Sequence, residues 1–396
     1  MTVTALRCLW RMARSVDLRI LRRAAVHGIV KSGRILRRRR RGVPGPPPFL
    51  FISLTNDCNL SCRGCWVTPT RPPTALPWDT LDRLIGDWQR QGAPVFGLLG
   101  GEPLLYPALE EVLARHPNAF FLVFTNGWLL DDRRAAAFRR LGNVTPLISF
   151  EGLGAAADER RGGAGVADRT WAAVDACRRH RLLTGVATSL CRTNLDDLAS
   201  DRFLAELIRR GVHYVWYYLY RPVGPRPSPE LALGAEDILC VRRFVVDARR
   251  RWPILIVDAY WDADGRPLCP AAAGLSHHIA PSGAIEPCPV IQFAVEDIGD
   301  GAGVPEKIAG SPFLAAARAR LAEAGGGCIL LKDPAALGEF LQSVGARDTS
   351  GRGTGYAELA ALRPRPDHAV GPPIPERHWM YRWAKRRAFW GMGAYG

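Results

Sequence analysis

From Phe49 onward the chain repeats one pattern, a short and nearly continuous apolar run followed by a longer stretch with helical spacing. The runs are FLFISLT (49–55), PVFGLLG (94–100), FFLVFTN (120–126), VTPLISF (144–150), LLTGVATSL (182–190) and HYVWYYLY (213–220). Helix-like segments lie near 77–91, 107–116, 131–141, 167–181 and 199–210. Strands that alternate with helices pair in parallel, because the helix carries the chain back across the sheet. Both faces of such a sheet are covered, which explains why the runs hold so few polar residues. The pattern predicts an α/β fold, either a doubly wound sheet or a partial barrel, with its chemistry at the carboxyl ends of the strands. The unusual residues sit there: a cysteine loop after the first run, GGEP after the second, TNG after the third and FEG after the fourth.

Composition narrows the class. With 396 residues and 47% hydrophobic content the chain can bury a large core, enough for two domains or one barrel with an appendage. Ten cysteines are too sparse for a disulfide framework. Charge interrupts every apolar run before about 18 residues, so no membrane-spanning helix is expected. Arginines are scattered through the opening MTVTALRCLWRMARSVDLRIL, which is not the layout of a signal peptide. The expected compartment is a reducing cytoplasm, where clustered cysteines more often hold metal than pair with one another.

Cys58, Cys62 and Cys65 form C-x3-C-x2-C directly after the first strand. Three thiolates on so tight a loop can each take one iron of a cubane cluster and leave the fourth iron without a protein ligand. Structural zinc, the main rival, normally takes four protein ligands, and no fourth Cys or His lies nearby in sequence. This loop, with GGEP at Gly100 to Pro103, resembles the radical S-adenosylmethionine superfamily. The resemblance spans roughly residues 49–225 and implies a partial (β/α)6 barrel. It also implies a [4Fe–4S] cluster whose open iron binds the amino and carboxylate groups of S-adenosylmethionine. One electron from the reduced cluster then cleaves the sulfonium to methionine and a 5′-deoxyadenosyl radical, which implies a reductant partner such as flavodoxin or ferredoxin. Carried over position by position, Gly100, Gly101 and Glu102 hold the methionine amino group, and Thr125, Asn126 and Gly127 lie near the ribose. Ser149 and Glu151 occupy the next strand end, and Asn194 is a further polar residue facing the cofactor. Each of these strand-end residues also reads as part of an ordinary turn. The chain departs from the family at Gly64, where many members place an aromatic that covers the adenine; here Trp66 follows the third cysteine instead.

Further along, CPAAAGLSHHIAPSGAIEPCP places Cys269 and Cys288 around a Pro-Ser-Gly turn, and Cys328 follows in GGGCILLKDP. This resembles the auxiliary-cluster extension called SPASM, or its shorter Twitch form, with the later cysteine run reduced to Cys328. It implies a second iron–sulfur cluster held by Cys269, Cys288 and Cys328, with His277, His278 and Cys240 as candidates for a fourth position. Cys8, Cys177 and Cys191 read as packing residues.

The net charge of +15 belongs to the two ends. Residues 1–42 hold thirteen Arg and Lys against Asp17, and residues 376–396 hold five against Glu376, so residues 43–375 are nearly neutral. Leu6, Leu9, Ala13, Val16, Ile20 and Ala24 fall on one helical face and Arg7, Arg11, Arg14 and Arg22 on the opposite one. The run Arg37 to Arg41 and the tail residues Trp379, Trp383, Phe389 and Trp390 complete a composition suited to an anionic membrane surface. A solvated arm, or a helix docked on the body, explains the same pattern. Nucleic acid is not an expected partner, since the neutral body lacks a basic stripe with stacking aromatics.

The expected organisation is a basic helix, polybasic run and linker (1–48), a barrel (49–225), a connector (226–268), an auxiliary-cluster region (269–343) and a loop-rich segment with a Trp/Arg tail (344–396). The expected activity is a radical enzyme, an oxidoreductase, transferase or lyase, acting on an unactivated carbon of a small-molecule, lipid or isoprenoid substrate, cytoplasmic or peripheral at the inner membrane face. A peptide-modifying enzyme and a non-enzymatic iron–sulfur carrier are the alternatives.

Overall fold

The structure, a computed structural model, describes residues 3–43, 45–275 and 277–387. Six strands alternate with helices as the apolar runs predict: β1 (Phe49–Ser53), β2 (Val95–Leu99), β3 (Phe120–Thr125), β4 (Val144–Ser149), β5 (Gly185–Leu190) and β6 (Tyr214–Leu219). Three short strands join the same sheet: β7 (Leu255–Val257), β8 (His278–Ile279) and β9 (Ile285–Glu286). The order is β7-β6-β5-β4-β3-β2-β1-β8-β9, parallel from β7 through β8, with β9 antiparallel to β8. Sequential neighbours all along β1 to β7 are the signature of repeated right-handed βα crossovers curling into a partial barrel.

The rings that make these runs apolar fill its interior. Phe51 meets Phe124, Phe124 meets Trp216, both with centroids 5.8 Å apart, and Trp216 stacks on Tyr218 at 5.5 Å. Each such buried side chain contributes on the order of 1.5–3 kcal/mol. Ordinary cap chemistry sets the helix ends. Asp131 accepts a bond from Arg134 N at the start of Asp132–Leu141, and Gly142, at φ 68°, ends that helix in the left-handed region.

Residues 3–40 pack against the lower, amino-terminal rim of the barrel. Helices α1 (Val3–Ser15), α2 (Leu18–Ala24) and α3 (Ser32–Arg40) are linked by a π-helical stretch at Ala25–Lys31. Arg11 donates to Val212 O and Pro253 O below β6 and β7, and Arg23 donates to Leu141 O below β4. His213 Nδ1 accepts from Thr184 N, so its Nε2 carries the proton and donates to Ser15 Oγ at 2.9 Å. The docked face differs from the stripe expected from sequence. Ala5, Cys8, Met12, Val16 and Ile20 are buried, whereas Leu6 and Leu9 are more than half exposed. The expected stripe covers only part of the docking face because a helix with apolar residues on two sides has no unique face until a partner selects one.

The last described helix, Trp379–Arg387, is held to the barrel edge by buried charges. Asp258, just after β7, receives Arg249 at 2.8 Å, Lys385 at 2.7 Å and Arg242 at 3.3 Å, and Arg249 also pairs with Glu376. Burial alone would raise the Asp258 carboxyl, but these three cations hold it below the usual carboxylate range. Of the expected tail aromatics, Phe389 and Trp390 lie outside the described residues.

Candidate active site

The cysteine loop is clamped from three sides, and glycines make each clamp possible. Leu54 N, Gly101 N and Glu102 N donate to Leu99 O, Thr55 O and Asp57 O, stitching the GGEP turn to the chain just ahead of Cys58. A Cβ at Gly100 would stand 2.3 Å from Thr55 O, and one at Gly101 would stand 2.1 Å from Asp57 O. The glycine pair is therefore a packing requirement of the cysteine loop. Gly162 presses likewise on Ser61 O and Gly224 on Cys65 O, at 2.4 and 2.3 Å from their would-be Cβ atoms. At Gly64, with φ 70°, the Cβ position lies 2.2 Å from Tyr220 Oη. Tyr220, delivered from the end of β6, fills the space that an aromatic at position 64 would need.

All three thiols face one cavity of about 270 Å³ at the carboxyl ends of the strands. Its wall includes Trp66, Gly100, Gly101, Phe124, Asn126, Ser149, Glu151, Thr188 and Tyr218. Burial pushes the Cys58 thiol up to about 12, opposed by a bond from Leu60 N to its sulfur. Burial likewise raises the Cys65 thiol, and the nearby Cys62 adds to the shift. Such thiols become thiolates once a cation replaces the proton, which is how metal loading couples to deprotonation. Donors are already aimed at the sulfurs: Arg161 Nη1 lies 3.8 Å from Cys62 Sγ and Asn126 Nδ2 lies 4.0 Å from Cys58 Sγ. Among the described residues no group of three His, Cys, Asp or Glu side chains closes around a single metal ion. A polynuclear cluster, which spreads its thiolates over several irons, suits the donor set better.

The other residues singled out by sequence divide into two groups. Gly100, Gly101, Asn126, Ser149 and Glu151 line the cavity. Glu102, Thr125, Gly127 and Asn194 stand behind its wall. The fully buried Glu102 carboxylate accepts from Leu104 N, Thr125 Oγ1 and Asn126 N, and so ties GGEP to the TNG turn instead of facing a ligand. Asn194 Nδ2 donates to Glu151 Oε2 at 3.2 Å and to Ser189 O at 3.1 Å, which fixes Glu151. Of the residues expected to contact the cofactor, Glu102, Thr125, Gly127 and Asn194 are not among those lining the cavity, and Glu102 and Asn194 bond to Asn126 and Glu151, which are.

Three further residues escaped the sequence reading. Arg161, at the end of the short helix Ala155–Arg161, bridges Glu151 at 2.9 Å and Cys62. Burial would lower its pKa, but Glu151 and Cys62 together keep it charged. Its only sequence signal is the ERRGG run after FEG. Thr188 Oγ1 and Tyr218 Oη are buried beside the cavity without a hydrogen-bond partner, and nothing in their strand patterns marks them.

The second set of cysteines is assembled from three separate turns. Burial pushes Cys269 up to about 11 and raises Cys288 as well, and in both the neighbouring thiols add to the effect, so the three lie within electrostatic reach of one another. Arg221 Nε, just past β6, donates to Cys328 Sγ at 3.3 Å, and the Cys328 amide donates to Asp367. The expected fourth partners lie elsewhere. His278 uses both ring nitrogens, Nδ1 on Glu286 at 2.6 Å and Nε2 on Ser53 Oγ at 2.7 Å. Each member of that chain is about 1% exposed, so it is an internal tie between β1, β8 and β9. His277 has Arg318 and Arg39 as its charged neighbours, and Cys240 is exposed on the helix Ala235–Arg251. Asp367 is the carboxylate that stands beside Cys328. Cys8, Cys177 and Cys191 are buried in packing, as expected.

The family model of the Radical SAM superfamily matches residues 52–204, the stretch that builds this cavity. That stretch is a radical SAM domain. The relatives that the chain matches are named as cyclase and synthase enzymes. Its radical SAM core is similar to the GTP 3′,8-cyclase of Parasynechococcus marenigrum, 29% identical over 54% of this chain and 66% of that protein. It is also similar to the PqqA peptide cyclase of Gluconobacter oxydans, 28% identical over 62% of this chain and 71% of that protein. The chain spans half to two thirds of the length of the first three curated relatives it matches. In fold it resembles Streptococcus suis SuiB bound to S-adenosylmethionine, with a TM-score of 0.61 and 15% identity over 72% of this chain and 71% of that one. The likeness in fold thus reaches beyond the radical SAM core.

Proposed function

We propose that Cys58, Cys62 and Cys65 hold the [4Fe–4S] cluster, and that the adjoining cavity receives S-adenosylmethionine and the reacting carbon of an organic substrate. The observation behind this reading is the meeting of three half-buried thiols, the glycine pair locked against their loop and a cavity at the carboxyl ends of the strands. When bound, the cluster supplies one electron that cleaves the sulfonium to methionine and a 5′-deoxyadenosyl radical, which takes a hydrogen atom from the substrate. The chain's part is to orient and seclude. The Gly100 and Gly101 backbone offers carbonyls to the methionine ammonium. The Arg161 guanidinium, beside Cys62, offers a cation to its carboxylate. Ser149, Glu151, Asn126, Thr188 and Tyr218 supply polar atoms to the remainder, while Phe124, Trp66 and Tyr218 exclude water. Glu102, Thr125, Gly127 and Asn194 act through the residues they hold. The test is direct: anaerobically reconstituted protein, reduced with dithionite and given S-adenosylmethionine, forms 5′-deoxyadenosine by chromatography, and a chain without this site forms none.

In the same reading Cys269, Cys288 and Cys328 hold an auxiliary iron–sulfur cluster, with Arg221 donating to the Cys328 sulfur and Asp367 next to the open side. A second cavity of about 410 Å³ lies against this region. It is lined by Val223, Val290, Phe293, Leu330, Leu359 and Leu362, with Arg363 and Arg365 among its residues. The loop Pro222–Pro229 separates it from the first cavity, and Val290 and Leu330 each follow a cysteine of the second set by two residues. A substrate laid across that loop touches both centres.

An apolar lining with basic residues suits an amphiphile, which supports a lipid or isoprenoid substrate. A peptide substrate is the second reading, favoured by the similarity to a peptide cyclase. Dose-dependent stimulation of S-adenosylmethionine cleavage by lipid extract, compared with peptide mixtures, separates the two.

A further inference from the structure

The exposed large apolar side chains among the described residues, Val295 apart, belong to the two ends of the chain. Among the described residues the large hydrophobics that stand exposed are Val3, Leu6, Leu9, Trp10, Leu18, Val26, Ile29, Val30, Val43, Trp379, Trp383 and Val295. All except Val295 belong to the amino-terminal helices, their following turn, or the carboxyl-terminal helix. The two segments meet in space. Tyr381 lies within electrostatic reach of Cys8 on α1, and Arg40 at the end of α3 donates to Arg386 O. The outward side of α1 carries Leu6 and Trp10, at 51% and 61% exposure, and the carboxyl-terminal helix carries Trp379 and Trp383 one turn apart, at 47% and 51%.

The two segments also hold nearly all the net charge of the chain. Arg7, Arg22, Arg34 and Arg38 are exposed, and no carboxylate among the described residues pairs with them. Arg14 lies over the Trp10 ring at 4.6 Å, an arrangement that keeps a cation beside an interfacial indole. A second protein would bury such a patch only by leaving these guanidiniums unpaired or matching each with a carboxylate. An anionic bilayer accepts both halves at once, apolar rings at the acyl boundary and arginines among the headgroups.

We propose that α1, the following helices and the carboxyl-terminal helix form one docking face for an anionic membrane surface. Its amino-terminal helices cover the lower rim, at the amino ends of β4, β6 and β7, and its carboxyl-terminal helix continues along the β7 edge to Asp258 and Asp264, past the carboxyl end of that strand. The docking face stands independently of the chemistry proposed for the cavity.

The experiment is flotation of the reconstituted holoenzyme with vesicles of phosphatidylglycerol and phosphatidylcholine, against phosphatidylcholine alone. Wild-type protein is expected to float with the anionic vesicles, at least tenfold above the neutral ones. The pairs Leu6→Glu with Trp10→Glu, and Trp379→Glu with Trp383→Glu, should each reduce that fraction at least tenfold, while 5′-deoxyadenosine formation stays at the wild-type level. Absence of flotation, equal flotation of the variants, or a concentration-dependent dimer that either pair dissociates would overturn the proposal.

Discussion

The two sets of three cysteines reach similar surroundings by opposite routes. Cys58, Cys62 and Cys65 sit within eight residues, and their loop is held by backbone of β1, the GGEP turn and two glycines from distant helices and loops. Cys269, Cys288 and Cys328 span sixty residues and are brought together only by the β8–β9 hairpin, the Gly325–Gly327 turn and the Arg221 side chain. A local set is a motif that any fold presenting the loop can use. A dispersed set exists only once its domain has folded, so its metal and its fold are coupled. The contrast also separates surroundings, because the local set lines the cavity at the strand ends whereas the dispersed set lines neither cavity and only Val290 and Leu330, two residues past Cys288 and Cys328, line the second.

The largest expected effect comes from removing a ligand of the local set. Cys62→Ala should abolish 5′-deoxyadenosine formation, a loss of about 10³-fold or more on the scale of catalytic deletions, with iron falling from about eight to about four per chain. Substantial residual cleavage would erase the distinction between the two sets. Cys288→Ala should show a similar iron loss but retain cleavage of S-adenosylmethionine within about tenfold, while conversion of the true substrate falls by about 10²-fold. Because the dispersed set organises its own domain, this variant should also melt at lower temperature, which Cys62→Ala should not.

Glycine substitutions sharpen the same contrast. Gly64→Ala places a methyl 2.2 Å from Tyr220 Oη at a positive φ, and should cost about 1–3 kcal/mol, read as lost stability and lost iron at the first set alone. Tyr220→Leu in the same chain should recover part of it. Gly327→Ala meets Asp367 Oδ2 at 2.1 Å and should affect only the second set.

The smallest effect is set by pH. Burial raises Cys58 to about 12 and Cys269 to about 11, above the ordinary thiol value. A raised folded-state pKa gives stability that is complete below the unfolded value and is lost as pH rises toward the folded one. The apoprotein should therefore lose on the order of 1.4 kcal/mol per pH unit per such thiol above about pH 9, measured by chemical denaturation. The iron-loaded protein should lose less, since its sulfurs are already deprotonated. Equal slopes for the two forms would mean that these thiols do not carry the metal.

How much of this was legible beforehand follows from what is local. The six long strands were readable because each is an apolar run buried on both faces, and the first cysteine set because its ligands share one loop. Strands β7, β8 and β9 span three, two and two residues, too short to show any period. Arg161 and Arg221 look like ordinary arginines in a chain rich in them, and only their neighbours Cys62 and Cys328 single them out. On α1 the sequence shows an apolar stripe through Leu6 and Leu9 but not which side docks, and the barrel rim takes Ala5, Cys8 and Met12.

Sequence alone determined the alternation of strands and helices, the spacing of Cys58, Cys62 and Cys65, and the concentration of charge at the two ends, because each depends on residues close along the chain. Tertiary structure alone decided that Glu102 and Asn194 support the cavity wall, that Tyr220 fills the space beside Gly64, and that the two basic ends meet on one face. Those outcomes depend on distances between residues far apart in the chain, and such distances are fixed only when the barrel closes.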